Sequence, residues 1–302
     1  MKKLITKTTA VILALGLTAH ADPGDSAAAF LRVGVGARPA AMAEAYAGVS
    51  GDLMALYSNP AGLSSILGSE FSFSHTVWLE DVSYSNLAMG MNIFDGYAAL
   101  GVNYLTPGTI DKVDNAGNDM ACTYKASDLL ITGAYSKMFG DISAGAALKL
   151  IHSNIDNHTA TAFALDVGVQ RFFGMLNAGL VIQNFGTQMS FRDDCDPLPL
   201  AVRAGVSYPF LLYGLDFQAV AETYYSNEVP FAFNAGVNAD YLVSDFILSL
   251  RLGFKSNAEG LDALSHLTTG LGLEYSSIVF DYAFGSFEDL GMTHRISLGY
   301  RM

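Results

Sequence analysis

The chain has 302 residues, of which 51% are hydrophobic and only 15% charged, and its formal net charge is −13. A water-soluble domain carries about 25% charged residues, so this composition points to a membrane or to an unusually large core, and it excludes disorder. The acidic balance, without clusters of Lys and Arg, excludes a nucleic-acid partner, because neutralising phosphates requires grouped cations.

The first element is a targeting segment. Lys2, Lys3 and Lys7 precede an apolar run at 10–17, and Ala19-His20-Ala21 follows it, which reads as a secretory signal over 1–21 cut before Asp22. The run is far shorter than the roughly 20 residues of a spanning helix, and no Cys follows it, so neither a helical anchor nor a lipoprotein is implied.

Residues 22–68 come next and differ in character from the rest. A short helix is expected over 39–47, with Pro39 in its first turn and Gly48 as its stop, and Asp52 is placed to cap a second piece running through Leu56. Such a segment ahead of a barrel is a candidate plug for the lumen. The alternative is a periplasmic tail, which its density of Ala, Leu and Met disfavours.

From residue 69 to 302 the period is two. Phe163, Leu165, Val167 and Val169 alternate with Ala164, Asp166, Gly168 and Gln170, and Leu267, Thr269, Leu271 and Leu273 alternate with Thr268, Gly270, Gly272 and Glu274. One face is apolar and the other small and polar. In a bilayer only helices and closed barrels satisfy every backbone N–H and C=O, and no later stretch has the makings of a spanning helix. The expected fold is therefore all-β, a transmembrane antiparallel barrel with a short helical hatch at its N-terminus. Strand segments fall near 70–76, 83–93, 96–105, 128–138, 141–151, 161–171, 175–184, 199–208, 212–222, 230–242, 245–255, 266–275, 277–285 and 293–302, about fourteen. Bacterial barrels use an even number.

The connections alternate between tight ones, at Phe94-Asp95, Phe139-Gly140, Phe173-Gly174, Pro209-Phe210-Leu211, Val243-Ser244 and Ser276, and long polar ones at 106–127, 152–160, 185–198, 223–229, 256–265 and 286–292. Tight periplasmic turns and longer outer loops, with both barrel termini in the periplasm of a bacterial outer membrane, produce this pattern, whereas a soluble sandwich does not. Many of the acids fall in the rims, among them Asp111, Asp193, Glu259, Asp262, Glu288 and Asp289.

Inward charges fall in complementary neighbours: Lys149 beside Asp166, Arg203 beside Asp216, Asp240 beside Arg251, and Asp281 beside Arg295. A paired polar network is favoured over a permeation filter, which would show one sign in a ring. Cys122 and Cys195 both lie in outer loops, so an oxidising envelope allows a disulfide between them, and the spacing leaves bonded and free forms open. Trp78, Tyr84, Tyr104 and Tyr135 stand near strand ends, where an aromatic girdle belongs.

The run GVGARPAAMAEAYAGVSGDLMALYSNPAGLSSI resembles the N-terminal segment of the PorV/PorQ family, itself similar to FadL-type transporters. The likeness continues through Trp78-Leu79-Glu80-Asp81 and Gln183-Asn184-Phe185-Gly186. It implies a fourteen-stranded barrel with an N-terminal hatch; Arg38, Asp52, Asn59, Pro60 and Gly62 are its candidate residues, and in a channel Asn59 and Pro60 are expected to hold the closed state. The sequence departs from the family at Pro39-Ala40-Ala41-Met42-Ala43, where a Gly-containing run is usual.

No catalytic motif stands out. G-x-S-x-G, H-E-x-x-H and a phosphate-binding loop are missing, and His152-Ser153 would point to opposite strand faces. A non-enzymatic chain without a cofactor or metal is expected. Two functions remain, with membrane lipid as the surrounding partner of either. The first is a channel for a hydrophobic small molecule. The second is a type IX secretion accessory that binds the C-terminal signal domain of exported proteins, and a permanently plugged structural barrel is the blander alternative.

Overall fold

Alternating side chains make strands that bury one face and expose the other, and here the exposed face is the apolar one. Phe163, Val167, Leu180, Leu250, Leu271 and Leu298 point outward, while Asp166, Gln170, Asn177, Asn238 and Arg251 are buried inside. The computed structural model describes residues 26–114, 117–191, 194–229, 231–256, 264–287 and 291–302, without the side chains of Asp81 and Asp194. The signal segment and the rim acids Asp193, Glu259, Asp262, Glu288 and Asp289 lie outside the described residues.

In chain order the strands are β1 (Ser69–Val77), β2 (Ser83–Ile93), β3 (Gly96–Thr106), β4 (Thr109–Val113), β5 (Asp119–Phe139), β6 (Ile142–Ile155), β7 (His158–Phe173), β8 (Leu176–Gly186), β9 (Met189–Phe191), β10 (Asp194–Asp196), β11 (Ala201–Leu212), β12 (Leu215–Ser226), β13 (Ala232–Val243), β14 (Phe246–Lys255), β15 (Leu267–Tyr275), β16 (Ile278–Ser286) and β17 (Met292–Arg301). All but β4, β9 and β10 form one antiparallel wall, which is closed by β3 pairing with β5 and by β1 pairing with β17. The result is a closed barrel of fourteen strands. Its two ends meet where Ser69 and Met302 exchange backbone hydrogen bonds.

Two connections differ from expectation. The tight turn placed at Pro209-Phe210-Leu211 is instead Tyr213-Gly214, with both residues left-handed. Pro209 is tolerated within β11 because pairing with β8 stops at Ser207, which leaves a neighbour on one side only. The long loop at 152–160 is a tight turn at Asp156-Asn157, because β6 and β7 run on beyond the lengths expected of them. Likewise β5 extends to 21 residues and carries β4 on its upper end.

The hatch lies inside the lumen. Its helices are shorter than expected, at Ala37–Ala41 and Ala55–Ser58, followed by the 3-10 turn Pro60–Ser65. The anticipated helix over 39–47 breaks because Ala43 and Glu44 are both left-handed, at φ 56° and 60°. Such conformations are unfavourable for residues with a Cβ and persist where the surroundings impose them. Ala43 closes the run 39–43, where the resemblance leads one to look for glycines, and Glu44 follows it. The hatch enters at the long-loop end, where Ala27 N–H donates to Pro197 O (2.9 Å), and leaves at the opposite end, where β1 begins.

Candidate functional site: a cup above the hatch

A plug inside a barrel must satisfy its own backbone, and the wall side chains do this. Glu222 on β12, 1% exposed, accepts Tyr46 N–H (2.9 Å) and Ala47 N–H (2.7 Å). Gln170 on β7 donates to Ala47 O and Val49 O (3.0 and 2.8 Å), Asn177 to Gly48 O (2.8 Å), and Gln183 to Tyr57 O and Ser58 O (2.9 and 3.1 Å). Ser136 and Thr268 hold Ala61 O and Ala41 O, each at 3.0 Å.

Close approach of these backbones needs wall positions without a Cβ. Gly145, Gly168, Gly179, Gly236 and Gly253 face the hatch, and a methyl on Gly236 would stand 2.9 Å from Met42 Cα, while one on Gly168 or Gly179 would overlap Asn59 Oδ1 or Ala47 O. The inward small residues read from the sequence are thus the recess that receives the hatch.

The five hatch residues singled out in the sequence have distinct partners. Arg38 pairs with Asp52 (3.1 Å) and donates to Gln218 (3.2 Å), while Tyr46 OH also donates to Asp52. Asp52 further accepts Met54 N–H (2.9 Å), a local turn just ahead of the second helix; the N-cap of that helix is Met54, which makes no side-chain cap bond, so the cap expected of Asp52 is not formed. Asn59 caps the 3-10 turn by accepting Ala61 N–H (3.1 Å), with Pro60 following it, and its amide donates to Ala47 O (2.8 Å). Gly62 O accepts Gly51 N–H (3.1 Å), and a side chain on Gly62 would press on Val49 O.

Above the hatch, at the long-loop end, lies a cavity of about 300 Å³. Hatch residues 31–35, Ala40, Glu44 and Tyr57 form its floor, and its walls come from the upper ends of the strands. Leu31, Val33, Leu130, Trp78 and Phe287 supply apolar surface, with the Trp78 and Phe287 rings 5.4 Å apart. Charged side chains stand beside this surface. Lys255 and Arg295 both donate to one carboxylate, Glu44 Oε1, each at 3.3 Å, and Arg203 donates to the Glu44 carbonyl at 2.6 Å. Arg295 also stacks 5.0 Å from the Trp78 ring. Lys149 reaches Asp166 (2.6 Å) and Asn184 (2.8 Å) beside a bulge that turns both Gln183 and Asn184 inward. At the rim, Glu228 takes Ser26 N–H (3.0 Å) and Arg32 (2.8 Å), which ties the start of the hatch across the mouth.

Burial alone would raise the Glu44 carboxyl, but Lys255, Arg295 and Arg203 outweigh it and hold the group at about 2, below its usual 4.5. A depressed folded-state value means that this contact's stabilisation is full above pH 4.5 and is lost as pH falls through about 2. Protease resistance of the hatch should therefore stay flat from neutral pH down to about pH 4.5 and weaken only below it. A Glu44→Gln variant should lack this acid-dependent step.

Three of the sequence-based pairings are replaced. Arg203 binds Glu222 (2.6 Å), not Asp216, since the three-residue shift of the β11–β12 turn leaves Asp216 exposed near that turn. Arg251 binds Asp281 (2.6 Å) and Asn238 (2.8 Å), while Asp240 accepts from Ser249 (2.5 Å). Arg295 turns from Asp281 to Glu44, a partner outside the wall that strand register does not reveal. Cys122 and Cys195 are free and exposed, Cys122 on the β5 extension and Cys195 in the β9–β10 hairpin beside Ser190 (3.3 Å). Tyr84 is not part of a girdle either: it is buried in the lumen, where its hydroxyl accepts from Asn103 (2.8 Å). Trp78 faces the cup, whereas Tyr104 and Tyr135 are exposed on the outside. Among the described residues, no three His, Cys, Asp or Glu gather to hold a metal.

No protein-family model matches the sequence, and no curated protein matches it. Solved structures do. The toluene transporter TodX of P. putida superposes with a TM-score of 0.62 at 13% identity, covering 89% of this chain and 99% of TodX. CymD, a monoaromatic hydrocarbon channel, superposes with 0.61 at 13% identity, covering 89% and 98%. At such identities the likeness speaks for the fold alone, which is the barrel fold that TodX and CymD also have.

Proposed function

We propose that this chain is an outer-membrane channel for a small amphiphile, a hydrophobic body with an acidic group, that enters the cup from outside the cell. The observation that carries this reading is the cup itself, in which apolar surface adjoins Lys255 and Arg295, which share a single carboxylate. Pockets for small molecules are mostly apolar with a few placed polar groups, and about 300 Å³ lies at the lower end of their range. TodX, a toluene transporter, and CymD, a monoaromatic hydrocarbon channel, support a hydrophobic cargo. In this reading the long loops face outward and both barrel ends face the periplasm. The hatch blocks the axis, so the molecule leaves sideways into lipid after the tie between Glu228 and residues 26–32 opens.

The test is uptake by vesicles containing the full chain. A Lys255→Met variant keeps Arg295 as partner to Glu44 and should raise the half-saturating concentration of an acidic probe such as decanoate about tenfold, in line with loss of one charged contact. Uptake of decanoate no faster than in protein-free vesicles would refute transport and favour a permanently plugged barrel.

A second reading has one observation in its favour. Among the described residues strand β4 pairs only with β5, so within them its other edge is unpaired, at the long-loop end and suited to receive an added strand. A PorV/PorQ-type secretion accessory would use such an edge to bind cargo. Co-purification of an exported protein's C-terminal domain from mild detergent, abolished by Ile110→Pro, would support it, and a barrel recovered alone would not.

A further inference from the structure

Resting on the channel reading above, we infer that the cup selects an amphiphile whose acidic group is flanked by a hydrogen-bond donor, and that Asn234 is the residue that reads the donor. Every other polar side chain named in the cup has a partner: Glu44 has Lys255 and Arg295, Lys149 has Asp166 and Asn184, and Arg203 has Glu222. Asn234 on β13 does not. It is 3% exposed, it lines the cavity, and its Oδ1 has no hydrogen-bond partner. Among the described residues with such an unpartnered buried atom, it is the one that borders the cup. A buried acceptor without a donor is costly, which favours a molecule that supplies one.

Its position fixes where the donor must be. Asn234 lies directly opposite Lys255 in the β13–β14 register, and both face the lumen. Side chains so paired have Cβ atoms about 4.5–5.5 Å apart. An acid group taken by Lys255 in place of Glu44 therefore brings the next few atoms of the same molecule beside Asn234 Oδ1. The head group that fits is a carboxylate with a hydroxyl or amide N–H two or three bonds away, as in a 3-hydroxy acid or an N-acylamino acid. A plain hydrocarbon offers neither contact, and a simple fatty acid offers only the first.

Trp78 is the single tryptophan of the chain and lines the same cavity, so its fluorescence reports occupancy without a label. The experiment titrates 3-hydroxydecanoate and decanoate into the detergent-purified full chain, and repeats both titrations with Asn234→Leu, which keeps the size and removes the acceptor. The native protein should bind the hydroxy acid about tenfold more tightly than decanoate, and in Asn234→Leu the ratio should fall to about one, mainly through loss of the hydroxy acid. Equal affinity for the two acids in the native protein would overturn the role of Asn234 while leaving the channel reading intact. If neither acid perturbs Trp78, the channel reading falls and this inference with it. The ratio measured on the native chain decides the matter even if the variant does not fold.

Discussion

A Glu222→Ala variant is expected to release the hatch. The carboxylate it removes is fully buried, accepts the N–H groups of Tyr46 and Ala47, and pairs with Arg203 at the edge of the cup. Taking one partner from a buried ion pair costs about 3–5 kcal/mol because the other charge is left uncompensated. Two backbone donors also lose the acceptor they share, and each adds a desolvation penalty of about 1–3 kcal/mol. Limited proteolysis should cut the hatch within 37–66 in Glu222→Ala and leave the native chain intact. The Glu222→Gln variant should fall between, since its amide keeps one acceptor oxygen. Replacing the pair by Glu222→Leu with Arg203→Met should not restore the hatch, because the two N–H groups still lack an acceptor. Full protease resistance in Glu222→Ala would mean that the steric fit alone seats the hatch.

The second large effect is steric. Gly179→Val would put a side chain into the space held by the Ala47 carbonyl, a backbone atom with no freedom to turn aside. Overpacking costs about 1–3 kcal/mol where side chains can yield, and more where they cannot. The expected outcome is a barrel that still folds, since Gly179 pairs normally with Gly205 and Gln170, but whose hatch is displaced. Ion conductance across a planar bilayer should rise from near zero to a steady open level. The same substitution at Gly133, on β5 where an added Cβ meets nothing and the backbone is not left-handed, should leave conductance closed. Matching closed traces from both variants would contradict the recess described for Gly179.

The wall was readable because lipid and lumen impose opposite demands on successive residues. Each of the fourteen segments placed by that alternation overlaps one observed wall strand. Their tips were less readable. Pro209 looks like a turn residue, yet it sits in a strand that has lost one neighbour, and the resulting shift misdirected Arg203 toward Asp216. Glu222 carries a usable signal, as an acid on the inward set of β12, but a turn placed at 209–211 brings Asp216 closer to Arg203 than Glu222. Glu44 carried none. Its role depends on two consecutive left-handed residues that bring it under Lys255 and Arg295, and this geometry comes from packing inside the lumen, not from local preference. Asn234 was likewise invisible, since an unmet acceptor is a property of its surroundings.

The recess of wall glycines also constrains how the molecule is assembled. The hatch backbone nearly touches strands from β6 to β14, and its partners extend to Ser297 on β17, so it could not be threaded into a finished barrel without first spreading the wall. Closure between β1 and β17 must therefore take place around a hatch already in position. The hatch then acts as a former on which the strands are gathered: its girth sets how many strands fit around it, and errors in the hatch would surface as failures of insertion before any loss of transport could be measured.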